Sequence, residues 1–151
     1  MTFHHLMLFL HLLGVVVWVG GMAFAYLCLR PAAMALPPAQ RLPLWGGVFA
    51  RFFPLVWGSV VLILGAGLTM LLGVGFARAP GAWHAMLLTG VVMIAVFVSI
   101  WFGPWRHLRN ALAREDWAAG AVALNTIRQR VGFNLVLGIA TIAIATLGLG
   151  V

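Results

Sequence analysis

Four blocks of almost unbroken apolar sequence, residues 6–29, 55–76, 84–105 and 132–151, constrain this chain more than any other feature. Each reaches the roughly 20 residues that a helix rising about 1.5 Å per residue needs to cross about 30 Å of hydrocarbon. Lipid offers no water to backbone N–H and C=O groups, so a spanning segment satisfies them within a helix or in a closed barrel. None of the blocks alternates apolar and polar residues as a barrel strand does. The pattern therefore predicts an all-α, integral membrane four-helix bundle, with residues 1–151 as a single domain. Composition agrees: 64% of residues are hydrophobic and 7% charged, where a soluble domain carries about 25% charged residues.

The charges orient the bundle. All nine basic residues are arginine, and Arg30, Arg41, Arg51, Arg106, Arg109, Arg114, Arg128 and Arg130 fall in the links at one end, against Arg78 alone at the other. By the positive-inside rule the rich end is cytoplasmic and both termini are periplasmic. The basic balance thus reads as topology, with some headgroup contact, and not as nucleic-acid binding. Glu115 and Asp116, the only acids, are expected to pair with neighbouring arginines. The link "RHLRNALAREDWAAGAVALNTIRQR" reads as an amphipathic cytoplasmic segment that lies on the membrane and runs into the fourth span.

Other boundaries follow from local chemistry. The first span should end at Arg30-Pro31, because proline bars continuation, and residues 31–54 read as a proline-rich loop with a short interfacial helix before Pro54. "AFA" at residues 23–25 resembles a secretory cleavage site, but no basic residue precedes it and the apolar run is too long, so the segment is expected to stay as the first span. Trp18, Trp57, Trp83, Trp101, Trp105 and Trp117 mostly fall near block ends, as an aromatic belt would. Small residues Gly14, Gly21 and Cys28 in the first span, and Asn134, Gly138, Thr141, Ala145 and Gly148 in the fourth, mark faces where helices can approach closely.

Within "LHLLGVVVWVGGM" stands a histidine, His11, well inside the first span. At about 100° per residue, His4, His11, Trp18 and Met22 share one helix face, with Met7 slightly to one side. Ionisable residues in a span usually face the bundle interior and mark a function. The structural use of His11 is a hydrogen bond to a carbonyl or threonine of a neighbouring helix. The functional use needs a second ligand, and His84 enters the third span from the same side.

Paired imidazoles from facing helices hold haem iron, whereas His with Met suits copper, and spacing alone does not choose between them. A copper site would draw on His4, His5, Met7, His11 and His84, with Met86 nearby. A b-type haem would take His11 and His84 as axial ligands, with Gly14 and Gly90 making room, Trp18 against the porphyrin edge and Arg78 at the propionates. If Met1 were removed, Thr2-Phe3-His4 would also offer a square-planar Cu(II) set. His107 is expected to meet headgroups only. The single cysteine, Cys28, excludes an internal disulfide. No acid lies in any span, and Ser59, Thr69, Thr89, Ser99, Thr141 and Thr146 have no base beside them in the sequence, which disfavours hydrolysis. Any enzymatic activity would be that of a haem-dependent membrane oxidoreductase.

Three stretches carry a family resemblance. "HLLGVVVWVGGMAFAYLCLRP", "RFFPLVWGSVVLILGAGLTML" and "IRQRVGFNLVLGI" resemble the opening, second and closing helices of the copper-resistance protein D (CopD-like) family. The residues that carry it are His11, Trp18, Gly20, Gly21, Arg30, Pro31 and Arg51. Members are bacterial inner-membrane proteins linked to copper uptake or tolerance, so the resemblance implies metal handling and copper homeostasis. A weaker similarity is to small four-helix haem b proteins, such as membrane superoxide/quinone oxidoreductases and four-helix protoporphyrinogen oxidases. The latter depend on a membrane lysine, and this chain has no lysine. The expectation is a CopD-like metal-handling protein of the inner membrane, with a haem b cytochrome and a structural accessory subunit as alternatives. Its candidate partners are the bilayer, a quinone, a periplasmic metal or redox protein, and a second copy of itself.

Overall fold

A computed structural model describes residues 3–147. Five helices fill it: α1 (Phe3–Ala33), α2 (Pro38–Val74), α3 (Gly81–Phe102), α4 (Pro104–Ala113) and α5 (Trp117–Thr146). Helices α1, α2, α5 and the α3–α4 pair are each long and apolar enough to cross a membrane. Successive spans reverse direction, so both described ends lie at one end of the bundle beside the short α2–α3 turn. The α1–α2 and α3–α4–α5 links lie at the other, arginine-rich end. α1 packs along α2, and α5 along both α3 and α4.

The helices are longer than the apolar blocks, and three boundaries need correction. α1 does not stop at Arg30-Pro31 but continues to Ala33. It contains two π-turns, Val16–Gly20 and Ala25–Leu29. The second immediately precedes Pro31, where the wider turn relaxes the hydrogen-bond ladder that a proline would otherwise clash with. Residues 38–54 are not a loop: α2 runs unbroken through Pro43 and Pro54. Proline is tolerated in such a helix because neighbouring helices and local adjustment re-satisfy the freed carbonyls. The fourth span starts at Trp117, well before residue 132, and the Asp116 carboxylate caps it by accepting from the Ala119 N–H at 2.9 Å. Asp116 is therefore an N-cap, where pairing with an arginine was expected.

α4 is the amphipathic link the charge pattern calls for. Pro104, Trp105, Leu108 and Ala111 are buried, while Arg106, His107, Arg109 and Asn110 are exposed. A break at Gly103 turns α3 into α4, and a Cβ there would come within 2.8 Å of the Ser99 carbonyl oxygen.

The core is aromatic. The Phe53 ring stacks on Phe49 at 4.9 Å and takes the edges of Trp105 at 5.3 Å, Phe97 at 5.7 Å and Trp101 at 6.3 Å. Trp18 meets Phe97 edge-to-face at 6.1 Å. Trp18, Trp45 and Trp105 are thus buried core residues and not members of an interfacial belt. Edge-to-face rings of this size fill a wide gap between helices while each quadrupole finds a complementary partner.

Polar bonds stitch α3 to α5. Thr141 Oγ1 donates to Thr89 Oγ1 at 2.8 Å, Asn134 Nδ2 to the Met93 carbonyl at 3.0 Å, and Arg130 to the carbonyl and hydroxyl oxygens of Ser99, both at 3.0 Å. With Gly138, where a Cβ would touch Val19 and Met93 at 3.1 and 3.3 Å, Asn134 and Thr141 belong to the small and polar α5 face expected from the sequence, and Arg130 adds to it. Gly148 lies outside the described residues. On α1, Gly14 lies against Ile63 and Gly21 against Phe52, but Cys28 is exposed.

Candidate functional site

Above the aromatic core, at the end where both described ends lie, the four spans line a cavity of about 380 Å³. Its wall is mostly aliphatic. The exceptions are His4, His11 and Trp18 from α1, Met70 from α2, Trp83, Met86 and Met93 from α3, and Thr141 and Thr146 from α5. Trp18 and Met93 are buried and close the floor where the cavity meets the aromatic cluster.

His11 is the most constrained of these groups. Its Nδ1 lies 3.0 Å from the carbonyl oxygen of Ile63 on α2. A carbonyl only accepts, so Nδ1 carries the proton and Nε2 keeps its lone pair. Gly67, one turn further along α2, makes room for the ring: a Cβ there would meet His11 Cε1 and Nδ1, each at 3.2 Å. An imidazole on a cavity wall whose N–H is held by a backbone carbonyl has the outer-shell arrangement typical of metal-ligating histidines. The structural use foreseen for His11, a carbonyl on a neighbouring helix, is thereby met at one nitrogen while the other stays available.

The remaining expected ligands divide. His4 shares the cavity wall with His11, whereas His5, Met7 and His84 are not among the residues that line it. The His4 and His5 rings meet edge-on at 6.2 Å. His84 Nδ1 lies 3.3 Å from the Pro80 carbonyl one turn back, and its ring stands against Phe76 at 4.6 Å. Of the expected pair, His11 thus lines this cavity and His84 does not. Among the described residues no group of three or more His, Cys, Asp or Glu side chains gathers to hold a metal. The donors in the cavity are mixed imidazole and thioether instead.

The residues assigned to a porphyrin also separate. Gly14 is filled from outside: a Cβ there would lie 2.8 Å from Ile63 Cγ1, so this glycine serves close helix contact. Gly90 does line the cavity, with nothing within 4 Å of its Cβ position. Arg78 sits exposed in the Phe76–Arg78 turn, outside the cavity wall. Thr2, part of the N-terminal Cu(II) set, lies outside the described residues.

Met70 and Met93 also line the cavity, and sequence reasoning missed both. Each sits in a run of leucines, valines and alanines, where a methionine looks like any other packing residue. For Met93 the usable signal was its register: Met86 and Met93 are seven residues apart on α3, hence on one face.

No curated protein and no solved structure matches this chain. A family does. Residues 46–147, from the first quarter of α2 to the end of the described chain, match copper resistance protein D. The matched segment contains Met70, Met86 and Met93 and begins after α1, so the family assignment stands independently of His11. This multi-pass helical chain belongs to the copper resistance protein D family.

Proposed function

We propose that the chain takes Cu(I) as its cargo in the cavity opposite the arginine-rich end, using His11 Nε2, His4 and the thioethers of Met70 and Met86. The carrying observation is the clamped His11 ring, whose proton is committed to Ile63 in a cavity shared with methionine sulfurs. Thioether and imidazole are soft donors that favour Cu(I) over the abundant hard cations. Membership of the copper resistance protein D family supports the same metal. In this reading the arginine-rich end faces the cytoplasm of a bacterial inner membrane and the cavity faces the periplasm. A bis-imidazole haem is the less supported alternative, because His84 stands outside the wall that holds His11.

The test is a Cu(I) titration of the detergent-solubilised protein against a chromogenic Cu(I) chelator, with the absorbance spectrum recorded on the same sample. The expected result is retention of about one copper per chain, lost in His11→Ala and in the Met70→Leu/Met86→Leu pair, and kept in His107→Ala. A Soret band that shifts on reduction, with no copper retained, would replace this reading with the haem one.

A further inference from the structure

The second cavity of the molecule lies at the opposite end, between α2 and α4. It is an open groove of about 380 Å³, walled by Pro43, Gly47 and Ala50 on one side and by Trp105 and Arg109 on the other. Gly46 and Leu112 close its base: a Cβ on Gly46 would lie 2.5 Å from Leu112 Cδ1, so the two helices touch there. Gly47 leaves the groove open, since a Cβ there would find only Arg51 Nη1, at 3.7 Å.

One guanidinium lines this groove and a second lies beside it. Arg109 is in its wall, with Cζ 5.9 Å from the Trp105 ring centroid. Arg51 donates from Nη1 to the Gly47 carbonyl at 3.2 Å, which holds it over a residue of the opposite wall. Both are exposed, and each keeps further N–H groups for a ligand. Carboxylates do not neutralise this end, because two acids serve eight arginines there and Asp116 is occupied as a helix cap. An apolar trough with a guanidinium at each side is amphipathic in the same sense as a phospholipid. A phosphodiester accepts the charge-assisted bonds, and the start of an acyl chain covers Ala50, Pro43 and the Trp105 face. Basic pockets between the helices of membrane proteins are where acidic headgroups gather.

We infer that the α2–α4 groove is a binding site for one anionic phospholipid, its phosphate held between Arg51 and Arg109. The site is independent of the copper reading, since it uses no residue of the other cavity.

Native mass spectrometry of the full chain in micelles tests this, with phosphatidylglycerol and phosphatidylcholine offered at equal concentration. Phosphatidylglycerol adducts should be retained about tenfold over phosphatidylcholine, the scale of one to two arginine–phosphate contacts. That preference should vanish in Arg51→Ala/Arg109→Ala and persist in Arg78→Ala. Gly47→Leu, which fills the trough and leaves every charge in place, should also abolish it, and Arg51→Lys/Arg109→Lys should weaken it without unfolding the chain. Equal retention of both lipids, an equal loss in Arg78→Ala, or full displacement by millimolar inorganic phosphate would each overturn the proposal, the last by showing a site for small anions alone.

Discussion

His11 Nδ1 and the Ile63 carbonyl oxygen meet 3.0 Å apart across the α1–α2 interface, which fixes both the ring's orientation and its tautomer. One contact thereby performs two tasks. It satisfies a polar group that lipid would leave bare, and it presents an unprotonated nitrogen to the cavity. His11→Ala should lose copper retention and also about 1 kcal/mol of stability, the usual scale of an interhelical bond in a membrane. Chelator competition and thermal unfolding in the same detergent check the two effects separately. Unchanged copper retention with lowered stability would reduce His11 to a structural residue.

Gly67 tests the orientation without touching the ligand. A methyl group there would press on the His11 ring at 3.2 Å, so the ring must shift by a few tenths of an ångström. Gly67→Ala is expected to weaken Cu(I) retention several-fold while thermal unfolding moves little, because only one flexible side chain has to give way. A bulkier Gly67→Val should remove retention altogether.

Asn134 is 1% exposed, and its Oδ1 has no hydrogen-bond partner, while its Nδ2 donates to the Met93 carbonyl. A buried unsatisfied oxygen costs about 1–3 kcal/mol, comparable to what the single bond returns. Asn134→Leu, similar in volume, should therefore unfold within about 1 kcal/mol of the native chain or above it. Asn134→Asp, which places a charge at the same point, should lose about 3 kcal/mol. Thermal unfolding of the three proteins decides it. A large loss in the leucine variant would mean that Oδ1 has a partner.

Phe53 holds the centre of the aromatic cluster, in contact with Phe49, Phe97, Trp101 and Trp105. Phe53→Ala should cost about 3–5 kcal/mol, because packed rings on four sides leave little room for collapse. Tryptophan fluorescence reports it directly, since Trp101 and Trp105 are among its ring neighbours. Copper retention should fall in parallel with unfolding and not independently of it.

Much of the architecture was legible from residue order. Lipid admits few spanning structures, so four apolar blocks of sufficient length lead to four helices with little ambiguity. The face carrying His4, His11 and Trp18 was readable because helical periodicity is rigid. The boundaries were not. Proline marks helix ends in water, but α2 passes Pro43 and Pro54 and α1 passes Pro31, since a neighbouring helix and a π-turn absorb the missing hydrogen bonds. The tryptophans misled for a related reason. A ring near a block end can lie in the interface or fold inward, and only the packing around Phe53 shows that Trp18 and Trp105 fold inward.

The chain alone determined that it would be helical, membrane-spanning and strongly polarised in charge, because hydropathy and arginine placement act locally, residue by residue. Tertiary packing decided which soft donors share a cavity. It brought Met70 and Met86 to the wall with His11 and left His84 against Phe76 and Pro80. Side chains on different helices have no fixed relation in sequence, and their meeting depends on how the helices rotate and cross. Here that is governed by close contacts such as Gly14 on Ile63, Gly67 on His11 and Gly138 on Met93.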